Sequence, residues 1–266
     1  MSALSDLKDE NPVIVAGQAV NLWASVYLPK EESALLGSVD MDILATPRVV
    51  RWMSEIPGWK FTPNVNEIPV IKGRIEKETP DGRLLRIEAL SHVFGLDDKD
   101  LKAVVELQFR EHRFLTLDPV ALLKAKCANA NELPQGEGGR HDESHLEILG
   151  RCVPAYLREV AGNLAAGNLR EETALSTLRR LFDVLRVPSY GGVLRHMDLT
   201  PDMLVPGEFA TSSNPAIREL YLAQMPAARE ACNVVNYAPN FRPKKSYVPV
   251  LGQPGRIRKR TMRNYW

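Results

Sequence analysis

Asp40 and Asp42 lie two residues apart in Ser38-Val39-Asp40-Met41-Asp42-Ile43-Leu44, a stretch that alternates apolar and acidic residues with the period of a β-strand. On a strand both carboxylates leave the same face, with Cβ atoms some 6 to 7 Å apart at a rise of about 3.3 Å per residue. Such a pair suits a hard divalent cation. A third carboxylate from a neighbouring strand would complete a cluster able to hold two Mg²⁺ ions about 3.5 to 4 Å apart. Such a cluster clamps the attacking and leaving oxygens of a phosphoryl displacement. Glu88, in Leu85-Arg86-Ile87-Glu88-Ala89-Leu90, is the candidate, because a lone acid on an apolar strand is costly to bury without a metal or a partner. The alternative for Glu88 is a salt bridge to Arg86 or Arg74 across a hairpin. For the two aspartates alone it is a solvated edge strand.

These residues need a sheet to position them. Pro12-Val13-Ile14-Val15-Ala16-Gly17 is a β-branched run ending at a glycine, and helix-like QAVNLWASVYL follows it. A helix N-terminus after a glycine turn offers free backbone N–H groups to a phosphate, and Gly17 would let the backbone come close. Thr46-Pro47 opens a helix, with Pro47 at its first position. Two alternating runs, IPVIKGRIEKE and RLLRIEALSHV, flank Thr79-Pro80-Asp81-Gly82 and predict an antiparallel hairpin. VVELQF and RFLTL predict further strands before Asp118-Pro119 opens a helix. From there apolar residues recur at helical spacing in PVALLKAKCANANEL, SHLEILGRCVPAYLREVAGNL and EETALSTLRRLFDVL. Residues 188–239 predict short helical pieces broken by proline and glycine. The expected fold class is α/β (α+β): a mixed sheet with helices over residues 1–117, a C-terminal helical domain over 118–239, and an extended basic tail over 240–266.

The order strand-glycine-helix, then Ser-x-Asp-x-Asp on the next strand, then a third acid on a later strand, resembles the nucleotidyltransferase superfamily related to DNA polymerase β. The matching residues are Gly17 and Gln18, Ser38 with Asp40 and Asp42, and Glu88. LTLDPVALLKAK, with Lys124 and Lys126, and Gly139-Arg140-His141-Asp142 extend the resemblance towards the abortive-infection nucleotidyltransferase toxins of type IV toxin-antitoxin systems. It spans about residues 12 to 160. The chain differs from the pattern at Gln18, where Gly or Ser is usual, at Glu88, where Asp is commoner, and in a longer gap between Gly17 and Asp40. The resemblance implies transfer of a nucleoside monophosphate from an NTP to a hydroxyl, with pyrophosphate leaving. Asp40 and Asp42 would bind the Mg²⁺ (or Mn²⁺) that chelates the triphosphate, and Glu88 would help hold a second ion. Gly17, Gln18 and Ser38 would contact the nucleotide. Lys126 would neutralise phosphate charge, and Asp142 would orient that lysine or the nucleotide. RNA such as tRNA is an expected acceptor, and an antitoxin protein an expected partner. Two alternatives stand beside this: a catalytically decayed module that binds nucleic acid or protein, and a small-molecule nucleotidyltransferase.

Blander readings exist for single residues. Lys126 on an amphipathic helix could be solvated, and Asp142 could simply favour the first turn of a helix. His141 and His145 share the i, i+4 spacing of zinc sites, without a third ligand in view. No nucleophile elbow, Walker A sequence, Rossmann fingerprint or CxxC is present.

With 266 residues, 44% of them hydrophobic and 25% charged, the composition is that of a globular protein and excludes collagen-like or extensively disordered chains. The formal charge of +1 conceals an asymmetry. Residues 240–266 hold eight basic residues and no acid, leaving 26 basic against 33 acidic elsewhere, or −7. RIRKRTMRNYW combines cations with Tyr265 and Trp266, which suits single-stranded nucleic acid; the alternative is a tail that neutralises the acidic body. Cys127, Cys152 and Cys232 are too few and too far apart for a disulfide framework, so reduced thiols are expected. The acidic start MSALSDLKDENP lacks the features of a signal peptide, and no apolar run approaches the roughly 18 residues of a membrane span. The expected location is cytoplasmic, with no membrane partner.

Overall fold

The computed structural model describes residues 12–29, 40–63, 70–109, 112–133, 142–233 and 257–259. Ser38, the Gly139-Arg140-His141 segment, Tyr265 and Trp266 lie outside the described residues. The fold is mixed α/β with a helical C-terminal part, and the chain divides into two compact units, residues 1–118 with 247–266, and residues 119–246.

The first unit is built on one mixed sheet, in which eight strands are described. They are β1 (Val13–Val15), β2 (Asp40–Leu44), β3 (Lys60–Pro63), β4 (Ile71–Glu78), β5 (Leu84–Leu90), β6 (Val104–Phe109), β7 (His112–Leu117) and β8 (Ile257–Lys259), in the order β3-β4-β5-β2-β1-β7-β6-β8. β2 runs parallel to β5 and β1 parallel to β7; the other neighbouring pairs are antiparallel. The hairpin β4–β5 turns where the sequence predicts it. Thr79 N–H donates to the Arg83 carbonyl at 2.8 Å, and Gly82 takes φ +78, which suits glycine. β8 adds an edge strand within residues whose sequence shows no strand period, because backbone pairing to β6 requires no particular side chains.

Helix α1 (Ala16–Tyr27) buries Ala19, Val20, Trp23 and Ala24, a stripe with helical period. Trp23 Nε1–H donates to the Leu117 carbonyl at 2.8 Å, tying α1 to the end of β7. Helix α2 (Pro47–Glu55) has Thr46 as its N-cap, with Oγ1 accepting from Val49 N–H at 3.3 Å, and Pro47 at its first position as expected. It lies close to β4 at Gly73, where a Cβ would stand 2.9 Å from Phe61 and 3.2 Å from Val50. A short helix α3 (Asp98–Leu101) is closed by an Asp97–Asp100 capping box.

The second unit is helical: α4 (Pro119–Glu132), α5 (Asp142–Ala165), α6 (Glu171–Leu185), α7 (Pro188–His196), α8 (Pro201–Leu204), a 3₁₀ turn (Gly207–Thr211) and α9 (Pro215–Cys232). α9 runs 18 residues where proline spacing predicts short pieces. Pro226 removes the hydrogen bond to the Leu222 carbonyl, but Leu222 is 56% exposed, so water can take that bond. α7 meets α9 closely at Gly191, whose added Cβ would stand 2.8 Å from the Ala231 carbonyl oxygen and 3.0 Å from Cys232 Cα. Those are backbone atoms that cannot rotate away. Gly191→Ala is therefore expected to destabilise by about 1–3 kcal/mol. Gly162→Ala, at an exposed helical position with open space around it, should stabilise by about 0.5–1 kcal/mol. Urea unfolding of the two variants checks the opposite signs. No helix among the described residues is long and apolar enough to cross a membrane.

Candidate active site

The strands of the first unit bring the sequence-predicted acids onto one face. β2 pairs with β5 in parallel so that Asp42 stands abreast of Glu88 and Asp40 abreast of Arg86. β4 pairs with β5 so that Arg74 stands abreast of Glu88 and Glu76 abreast of Arg86. Neighbouring strands lie about 4.8 Å apart, and side chains alternate between faces. One row across the sheet therefore reads Arg74, Glu88, Asp42, and the next reads Glu76, Arg86, Asp40. The opposite face carries Ile75, Ile87, Ala89 and Ile43, all buried. That burial fixes the register, since a slip of one residue would put the whole charged set into the core.

Arg74 donates to Glu88 from two nitrogens, Nε at 2.8 Å and Nη2 at 2.5 Å, and both bonds end on Oε1. Of the two cross-hairpin partners foreseen for Glu88, Arg74 is the one that forms the pair; Arg86 instead bonds Glu76 Oε1 at 2.9 Å and lies 3.5 Å from Asp40 Oδ1. The hydrogen bond to Glu76 holds the Arg86 guanidinium above its ordinary pKa, with the Asp40, Glu76 and Glu88 charges acting in the same direction. Lys60 on β3 stands abreast of Glu76, so four carboxylates face two guanidiniums and one ammonium here, and the face keeps a net formal charge of −1.

Among the described residues, no three His, Cys, Asp or Glu side chains are grouped closely enough to hold a metal ion by themselves. Mg²⁺ does not need such a cage. It keeps several waters and is bound through one or two carboxylates together with substrate phosphates. Asp42 and Glu88, abreast on adjacent strands, supply two hard oxygen ligands of that kind, with Asp40 on the same face one row along. The donor set fits the ion.

The turn from β1 into α1 falls one residue earlier than the sequence predicts. α1 begins directly after β1, and the left-handed residue is Ala16 at φ +55, while Gly17 and Gln18 lie in the first helical turn. The helix starts at once, so the reversal falls on the alanine. Val15, the N-cap residue, makes no side-chain cap bond. Val15 stands abreast of Asp42, so the N-terminus of α1 opens next to the aspartates of β2. In the other direction along the strands the face becomes apolar, in the row Val13, Leu44, Leu90. These three line a pocket of about 250 Å³ with Thr46, Val49 and Ser91.

Lys126 and Asp142 belong to the second unit. Lys126 Nζ lies 2.8 Å from Asp142 Oδ1, and their side chains are only 8% and 2% exposed. Asn129 Nδ2 approaches the same oxygen at 3.4 Å. Lys126 is thus a buried lysine paired with Asp142 and not a solvated one. The pairing escaped the periodicity argument because α4 is apolar on nearly every side and has no polar face to mark. His145, one turn after Asp142, is buried, and His141 lies outside the described residues. The three cysteines are free and buried; burial pushes the Cys152 thiol up to about 12, so it is no thiolate nucleophile near neutral pH.

The sequence reading missed Glu76 and the ladder it forms with Arg86 and Asp40. Counting outward from the Thr79–Arg83 turn would have paired Glu76 with Arg86 and Arg74 with Glu88.

No family model, curated protein or solved structure matches this chain. The functional reading therefore rests on the chain's own residues.

Proposed function

We propose that the protein is a metal-dependent nucleotidyltransferase that moves a nucleoside monophosphate from an NTP to a hydroxyl acceptor. The observation that carries this reading is the register of β2 on β5, which sets Asp42 beside Glu88 with Asp40 on the same face. Supporting it, the first turn of α1, with Gly17 and Gln18, adjoins those aspartates at a helix N-terminus, where the helix dipole favours a phosphate. Asp42 and Glu88, together with the substrate phosphates, would hold Mg²⁺ or Mn²⁺, with Asp40 one row along; the ion would neutralise the triphosphate and polarise the α-phosphorus. The first-turn N–H groups orient the phosphates, and the Val13, Leu44, Leu90 row provides an apolar surface for the base. The acceptor oxygen bonds the α-phosphorus as the α–β bridging bond breaks. Pyrophosphate leaves with that electron pair, and the hydroxyl proton passes through a carboxylate of the face to water. Positioning and electrostatics supply most of the rate.

The acceptor in this reading is an RNA, gripped by the cations of residues 240–266, and an antitoxin protein is the corresponding partner of a toxin. Deleting the tail would also remove β8, so replacing Arg256, Arg258, Lys259, Arg260 and Arg263 by glutamine is the cleaner variant. Incubation with each labelled NTP, Mg²⁺ and either RNA or small hydroxyl acceptors tests the function. Label on RNA that the glutamine variant loses supports an RNA acceptor; label on a small molecule, unchanged in that variant, supports a small-molecule nucleotidyltransferase. Transfer with no NTP contradicts the reading. One observation favours a second reading, a non-catalytic binding module. The Arg74–Glu88 and Arg86–Glu76 pairs satisfy much of the charge on the face without a metal. Such a module would bind RNA in a salt-sensitive way and show no Mg²⁺-dependent NTP binding.

A further inference from the structure

We infer that Arg74 is a positioning residue for Glu88, holding one carboxylate oxygen so that the other is presented to a divalent cation; this rests on the metal-dependent reading above. An arginine usually meets a carboxylate with two parallel bonds, one to each oxygen. Here Nε and Nη2 both donate to Oε1, and Oε2 accepts no hydrogen bond among the described residues. The fork therefore fixes the rotation of the carboxylate while leaving the lone pairs of Oε2 unused. Glu88 is also the only residue among those described to which the Arg74 guanidinium donates. The other guanidinium on the face, Arg86, is engaged by Glu76 and Asp40 in the next row and leaves Glu88 to Arg74.

A role in stability alone explains this arrangement poorly. The pair is 24% and 16% exposed, and a fork that served stability alone would engage both carboxylate oxygens and not one. Carboxylates that bind metals, in contrast, are regularly held by an outer hydrogen-bond partner, whose loss costs about 10–100-fold in metal affinity or activity. Arg74 has the position, the bond pattern and the absence of competing partners that such a role requires.

The test uses the full-length chain and calorimetric titration of an NTP at increasing Mn²⁺. The readout is the Mn²⁺ concentration at which NTP binding is half-maximal, measured together with the thermal unfolding midpoint. Arg74→Ala should raise that Mn²⁺ concentration by about 10–100-fold with little change in the unfolding midpoint. Arg74→Lys should recover part of the loss, since one ammonium holds Oε1 with less directional control. Asp81→Asn, at the exposed β4–β5 turn, should leave the Mn²⁺ requirement within about two-fold, as expected for a change at an exposed position away from the carboxylate face. An unchanged or lowered Mn²⁺ requirement in both Arg74 variants would overturn the inference, the lowered value meaning that the arginine obstructs the cation. If the wild type binds NTP with Mn²⁺ and Asp42→Asn abolishes that binding while Arg74→Ala leaves it alone, the inference fails and the metal-dependent reading stands. A wild type with no Mn²⁺-dependent NTP binding overturns both.

Discussion

Asp42→Ala is expected to lower nucleotidyl transfer by at least about 10³-fold, equivalent to roughly 4 kcal/mol of transition-state stabilisation, while the fold survives. Asp42 is the acid abreast of Glu88, and it adjoins the α1 N-terminus through Val15, so its loss removes the ligand nearest to both. Its removal also lowers the negative charge of a face on which four carboxylates outnumber two guanidiniums and one ammonium. Relief of that repulsion keeps the expected stability change within about 0.5 kcal/mol, as for most partly exposed positions. Asp40→Ala should cost less activity, because Asp40 sits one row away and lies beside Arg86 at 3.5 Å. Rates for the two variants, measured alongside their thermal unfolding, check both statements. A similar loss at both positions with collapsed unfolding midpoints would mark the acids as structural.

The second large effect concerns the buried pair of the second unit. Asp142→Ala removes the carboxylate 2.8 Å from Lys126 and strands an ammonium in a site that is 8% exposed. Breaking a buried pair in this way costs about 3–5 kcal/mol. For a unit of this size each kcal/mol moves the midpoint by roughly 2–8 °C, so a drop on the order of 10 °C or more is expected. Replacing both partners with apolar residues, Lys126→Met with Asp142→Leu, should restore most of the stability, because no unpaired charge remains. Scanning calorimetry of the single and double variants gives the result.

Much of this architecture was legible from the sequence where side-chain pattern and backbone agree. The DMDIL alternation predicts a strand with its acids on one face, and β2 is that strand. The Pro80-Asp81-Gly82 turn predicts the β4–β5 hairpin, and the observed register of Arg74 on Glu88 follows from it. The parallel pairing of β2 with β5 is a different matter. It joins residues more than forty positions apart, and no local pattern records it. β8 pairs to β6 by backbone hydrogen bonds, which need no alternation of side chains, so a search for alternation passes over it. Ala16 at φ +55 is hidden for a related reason: the glycine beside it is the residue that propensity selects for a left-handed turn. The Lys126–Asp142 pair lies across two helices, where periodicity identifies each helix but not the contact between them.

The central claim is that the carboxylate face of β2 and β5 binds a nucleoside triphosphate through a divalent cation. Calorimetric titration of each NTP into the wild type and Asp42→Asn, with Mg²⁺ and with a chelator in its place, tests that claim most directly. The account predicts binding by the wild type that requires Mg²⁺ and disappears in the variant. Binding that ignores Mg²⁺, or that survives Asp42→Asn unchanged, would contradict it.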